Sequence, residues 1–250
     1  MKILFSNGDS HTAGNELEHA WQISCYEKAW PNVLASKLNL KNINIAKAGA
    51  SNYQIFRTTR DWIFENTVLN KNYKSEDLVV FIMWSGFDRE EIYFPDTNVL
   101  DNMGFSSVVS LYNTELKAEL KNLQESMVSF QDDIVSGYRS LNLMYCLSLF
   151  LESLNIKYHF INGLYYFLKI ENVKRNHRLY DSYNNLLKMM GNRSSNFMGF
   201  YNHEDVFFNY MKDLSGIEVA KHSKYSHYGE DGHIHWANVV YKFYFERKII

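Results

Sequence analysis

The chain has 250 residues, 46% of them hydrophobic and 22% charged, with a net charge of −2. That composition excludes wholesale disorder and supplies a core large enough for one domain. The near-neutral balance argues against a nucleic-acid partner. The two cysteines, Cys25 and Cys146, form neither a disulfide framework nor a metal motif, and both read as small buried apolar residues.

In chain order, residues 2–6 read as a buried first strand ending in the polar stretch SNGDSHTAG. Its apolar run is too short for a secretory signal, and no window reaches the length of a membrane span, so a soluble cytoplasmic protein is expected. AWPNVLASKL, residues 29–38, reads as a helix with Pro31 in its first turn. Residues 44–46 read as a short second strand. A glycine turn and a helix over about 52–68 follow. LVVFIMW, residues 78–84, is almost wholly apolar, the pattern of a central parallel strand covered on both faces.

Residues 92–112 lack periodicity and read as an excursion above the sheet. Helices are expected over 113–133 and 136–154, the second with a stripe of Leu141, Tyr145 and Leu149. A strand over 156–161 follows. Residues 163–215 read as an irregular insertion with short helices, and a helix over about 234–247 closes the chain. Strands alternating with helices predict an α/β fold, a three-layer α/β/α sandwich on a doubly wound, mostly parallel sheet. One domain carrying the two insertions is expected.

The chemistry begins after the first strand. Gly8–Asp9–Ser10 places Ser10 just beyond the carboxyl edge of the sheet, where ligands gather in open α/β folds. A hydroxyl there can attack a carbonyl if a base reaches it, although Gly, Asp and Ser also serve plain turns and caps. SHYGEDGHIHWA, residues 226–237, offers three imidazoles. His233 follows a polar turn whose carboxylates, Glu230 and Asp231, can orient its ring or simply suit a helix N-terminus. His227 is an alternative base, and His235 reads as structural. The histidines are spaced so that their rings point apart on a helix, which argues against a metal site. No cofactor is expected.

GDSHTAG, AGASN at 48–52, WSGFDRE after the third strand and EDGHIHWA, in this order, together resemble the SGNH (GDSL-type) hydrolases. The fuller pattern is similar to small SGNH-like proteins of phages, which would place the protein in the host cytoplasm. The resemblance implies a flavodoxin-like sandwich and serine-based ester hydrolysis. Ser10 would be the nucleophile, His233 the base and Glu230 its acid, while the backbone N–H groups of Ser10 and Gly49 would form an oxyanion hole.

Two positions depart from the family pattern. Phe87 stands where the family places an oxyanion-binding asparagine, leaving Asn52, Ser85 or Arg89 as substitutes, and Glu230 stands where the family has aspartate. If His227 were the base, Lys224 would occupy the acid position and could not orient it. Arg89 can fork a carboxylate or phosphate, or pair with neighbouring acids. Trp84 can stack on a sugar or end an apolar strand. The expected substrate is a small-molecule or glycan ester, for instance a carbohydrate O-acetyl ester. The alternatives are a non-catalytic module binding a glycan or protein, and an O-acyltransferase. Oligomeric state is left open.

Overall fold

The computed structural model describes residues 2–17, 24–87, 89–94, 99–104, 133–164, 174, 177–200, 205–213, 215–220, 223 and 227–246. Five strands form the main sheet: β1 (Ile3–Asn7), β2 (Lys41–Asn44), β3 (Leu78–Trp84), β6 (Lys157–Asn162) and β7 (Phe197–Met198). Their spatial order is β2-β1-β3-β6-β7, and every neighbouring pair is parallel. The strand order reverses direction between β1 and β3, so the carboxyl ends of these two strands flank the crevice where such sheets bind ligands.

The helices are α1 (Ser10–Ala13), α2 (Trp30–Lys37), α3 (Asn52–Ile63), α4 (Asp133–Ser153), α5 (Tyr180–Gly191), α6 (Phe207–Asp213) and α7 (Glu230–Tyr241). Successive side chains of a strand point to opposite faces, and the core follows that rule. Ile3, Phe5, Val80, Ile82 and Trp84 pack under α3, α4 and α5. Leu4, Phe81 and Met83 pack under α2, α6 and α7. The molecule is therefore a three-layer α/β/α sandwich, and β3 is apolar throughout because both of its faces are covered. Among the described residues, no helix is long and apolar enough to cross a membrane.

Several expectations shift. The second strand runs over Lys41–Asn44, three residues early, because it pairs with β1 from Ile3↔Lys41 onward. Part of the 92–112 excursion is an antiparallel hairpin, β4 (Arg89–Phe94) with β5 (Val99–Gly104). The helix expected over 113–133 lies outside the described residues. The buried stripe of α4 runs Leu141, Met144, Leu147 and Leu151, while Leu149 is exposed. Within 163–215, Phe197–Met198 joins the main sheet as its edge strand. Trp84 is fully buried, edge-on to Phe160, and belongs to the core. Cys25 is buried but Cys146 is exposed.

Candidate active site

The loop after β1 is held by its own residues. Asn7 Oδ1 accepts from the Gly8 N–H at 2.8 Å, and its Nδ2 donates to Thr58 Oγ1, Thr59 Oγ1 and the Ile55 carbonyl of α3. A Cβ on Gly8 would lie 2.8 Å from the Met83 carbonyl oxygen, so only glycine lets this turn pass so close to β3. Asp9 then caps α1, its Oδ1 accepting from the His11 N–H at 3.1 Å. Ser10 is the first residue of that helix and is 8% exposed.

Gly49 stands in a turn at φ +75°, with open space where a side chain would be. The turn is fixed to the Ser10 loop because the Lys47 N–H donates to the Gly8 carbonyl at 3.2 Å. Neither the Ser10 N–H nor the Gly49 N–H has an acceptor among the described residues.

Ser85 and Arg89, beyond β3, close the third side. Ser85 Oγ donates to Asp9 Oδ2 at 3.2 Å and accepts from Arg89 Nη1 at 2.7 Å. Arg89 Nη1 also reaches Asp9 Oδ2 at 3.3 Å and the Ala50 carbonyl at 3.5 Å. One guanidinium nitrogen thus ties together the Ser10 loop, the Gly49 turn and the end of β3. Asn52 is spent differently. Its Oδ1 accepts from the Ser85 N–H at 2.8 Å, and its Nδ2 donates to the Ser85 carbonyl at 3.2 Å and Ser140 Oγ at 3.1 Å. Its amide fastens the end of β3. Phe87 packs half-buried against the α3–α4 core.

The histidines sort themselves by their partners. His233 is buried, and its Nδ1 accepts from the Trp30 backbone N–H at 3.0 Å. That N–H belongs to the first turn of α2, whose cap residue Ala29 has no side-chain acceptor, so His233 satisfies an otherwise orphaned donor. Burial, and next the charge of His227, push its pKa down to about 3. The neutral ring therefore keeps its proton on Nε2 and has no free acceptor nitrogen.

The structure does not bring Glu230 to His233. Glu230 is exposed and lies 3.6 Å from Lys28. With Asp231 it lines an open cavity of about 370 Å³ between residues 217–220 and 229–232. The reason is positional: the helix begins at Glu230, so both acids face solvent in its first turn while His233 turns into the core.

His227 has the carboxylate instead. Its Nδ1 lies 2.7 Å from Glu16 Oε2, with side-chain exposures of 8% and 3%. An ionised carboxylate only accepts, so Nδ1 carries the proton and Nε2 presents its lone pair. Ser223 completes the arrangement: its hydroxyl donates to Glu16 Oε2 and accepts from the His227 N–H at 2.7 Å. Glu16 is held at φ +63°, a conformation that costs energy for a residue with a side chain.

The ring of His11, adjacent to Ser10, lies tilted against His227 at 4.7 Å and Phe207 at 4.8 Å between centroids. Burial, then the charges of His227, His233 and Arg89, hold its pKa well below the ordinary imidazole value. His235 rests on Tyr210, 3.4 Å from its hydroxyl. Glu16 was missed in the sequence because a lone acid in a polar loop looks like any solvated glutamate. Among the described residues, no group of three His, Cys, Asp or Glu side chains is placed to hold a metal ion.

Residues 14–164 match the model of a family of unknown function, DUF6071. No curated protein matches the chain. Among solved structures, the crystal structure of TesA is similar at TM-score 0.53 and 10% identity, covering 98% of this chain and 99% of its own. A carbohydrate esterase, whose active site displays divergent catalytic and non-catalytic binding functions, is similar at TM-score 0.52 and 12% identity, covering 99% of this chain and 69% of its own. A lipolytic protein of the G-D-S-L family from Veillonella parvula DSM 2008 matches at TM-score 0.48 and 13% identity, over 99% of this chain and all of its own. The likenesses at TM-score 0.53 and 0.52 show a shared fold. By the match over residues 14–164, the chain belongs to the DUF6071 family.

Proposed function

We propose that the protein is a serine-dependent ester hydrolase in which Ser10 is the nucleophile, His227 the base and Glu16 the acid that orients it. The observation that carries this reading is the buried 2.7 Å pair of His227 Nδ1 and Glu16 Oε2 beside the Ser10 helix. A nucleophile needs a base with a free lone pair and a third group to fix its tautomer. His227 meets both conditions, whereas the Nδ1 of His233 is occupied by the Trp30 N–H.

In this mechanism His227 Nε2 takes the Ser10 proton as Oγ attacks the ester carbonyl. The electron pair of the C=O bond moves to oxygen, and the N–H groups of Ser10 and Gly49, which have no acceptor among the described residues, receive that charge. Collapse expels the alcohol, protonated by the imidazolium. Water, activated by the same ring, then releases the acid and regenerates Ser10. The Glu16 carboxylate stabilises the imidazolium and stays ionised throughout.

For the substrate we propose an ester of a small molecule or glycan, with a carbohydrate O-acetyl ester as the specific form. The fold likeness to a carbohydrate esterase supports this choice. The test is turnover of a short-chain aryl acetate and of acetylated xylo-oligosaccharides by wild type, Ser10→Ala and His227→Ala. Loss of turnover in both variants is expected. Equal rates in wild type and Ser10→Ala would reject the nucleophile. Saturable glycan binding without any turnover would favour a binding module instead.

A further inference from the structure

We propose, resting on the ester-hydrolase reading, that Arg89 supplies a charged donor to the oxyanion through the guanidinium nitrogens its internal contacts leave unused. The neighbouring groups are excluded in turn. Both amide hydrogens of Asn52 are committed, to the Ser85 carbonyl and to Ser140 Oγ. The single Ser85 hydroxyl hydrogen goes to Asp9. The Phe87 side chain has no polar atom. Arg89 spends only Nη1 on protein acceptors, and its Nε and Nη2 hydrogens have no partner among the described residues.

The position suits this role. Nη1 is anchored to Asp9, next to Ser10, and to the Ala50 carbonyl, next to Gly49. Each of the two backbone N–H groups therefore belongs to a residue directly bonded in the chain to one that holds the guanidinium. The side chain is 23% exposed, so the guanidinium is anchored through Nη1 and still partly accessible. A rigid planar fork with hydrogens left over is prepaid for a charge that appears only during reaction.

The same pairing separates this role from recognition of an anionic substrate. Asp9, 1% exposed, offsets the Arg89 charge at 3.3 Å. A compensated pair has little field at a distance, so it is poorly suited to drawing in a substrate anion. A hydrogen-bond donor acts at contact, where the tetrahedral oxygen forms. As the bond from Ser10 Oγ to the carbonyl carbon forms, that oxygen accepts N–H from Arg89, whose proton stays on nitrogen. When the alcohol leaves, the C=O bond reforms and the contact weakens.

The experiment measures kcat and KM for wild type, Arg89→Gln and Arg89→Lys on neutral 4-nitrophenyl acetate and the anionic 4-nitrophenyl hemisuccinate. The rate of Ser10 modification by a fluorophosphonate, read by intact mass, is measured in parallel. The lysine variant keeps a cation for Asp9 while losing the fork, so it guards against loss of fold, which circular dichroism and melting would register. We expect kcat to fall about 100-fold or more on both esters, with KM within about twofold, and Ser10 modification to slow to a similar extent. Wild-type kcat and modification rate in a folded lysine variant would overturn the inference. A rise in KM confined to the hemisuccinate would also overturn it, in favour of anion recognition. Ser10→Ala separates the two levels: if it turns over esters like wild type, the hydrolase reading itself fails.

Discussion

His227 and Glu16 meet at 2.7 Å although 211 positions separate them in the chain. The pair exists because the loop after β1 turns back at Glu16, at φ +63°, beneath the segment that leads into α7. A carboxylate on one imidazole nitrogen leaves the other as acceptor, which is the state a general base requires.

Removing that orientation should be costly. Glu16→Gln keeps the shape and removes the charge that stabilises the imidazolium. Ester turnover is expected to drop roughly 10²- to 10⁴-fold, with KM little changed, as for an orienting acid elsewhere. Steady-state kinetics check this; a Glu16→Gln enzyme with wild-type kcat would remove Glu16 from the mechanism.

His233 carries a structural load instead. His233→Ala leaves the Trp30 N–H buried without an acceptor, and should cost about 1–3 kcal/mol for that group alone, beyond any cavity. Chemical denaturation measures it. Unchanged stability would contradict its role as the cap of α2.

Acid should destabilise the protein in a defined window. In the folded chain His159 and His233 both have pKa values pushed down to about 3, from an ordinary 6.5, chiefly by burial. Between these values the unfolded chain binds protons that the folded chain refuses. Their contribution is therefore intact above about pH 6.5 and is lost as pH falls toward 3. Melting temperature measured from pH 8 to pH 4 should decline progressively below pH 6.5; a flat profile would contradict the burial of neutral rings.

His159 gives a sharper version of the same test. Both of its ring nitrogens are buried with no hydrogen-bond partner among the described residues, beside Phe81, Tyr244 and Phe245. His159→Phe removes an unpaired polar ring from an apolar setting. It should stabilise the fold by about 1–2 kcal/mol at pH 7 and reduce the acid sensitivity. Destabilisation of that size would show that the site cannot accept the larger ring.

The turn before Ser10 should tolerate no side chain. Gly8→Ala would bring a Cβ to 2.8 Å from the Met83 carbonyl, and relieving that clash should cost about 1–3 kcal/mol and displace Ser10. A stable, fully active Gly8→Ala protein would contradict the close approach of this loop to β3.

The elements that could be read from sequence are those whose burial leaves a pattern. β3 is recovered over residues 78–84 because a strand covered on both faces is apolar at every position. α2 is recovered because Pro31 and the stripe around Leu34 mark its start and inner face. β2, KNIN, escapes because it is an edge strand with no fully buried residue, so its register comes from β1. Phe197–Met198 escapes because two residues carry no period.

At the candidate site, the placements of Ser10 beyond β1, Gly49 in a turn and Arg89 after β3 are legible in the sequence. The carboxylate that meets an imidazole is not. The family resemblance pairs Glu230 with His233, yet α7 begins at Glu230 and sends the two side chains to opposite environments. The carboxylate that meets an imidazole comes from the other end of the chain, and only the tertiary fold can bring it there.

In the proposed mechanism His227, with Glu16 behind it, activates Ser10. The most direct measurement is the rate at which a fluorophosphonate modifies Ser10, followed by intact mass and peptide mapping, in wild type and His227→Ala. A single adduct on Ser10 is expected in wild type, formed at least about 100-fold more slowly in His227→Ala. An adduct on another residue, or equal rates in the two proteins, would contradict it.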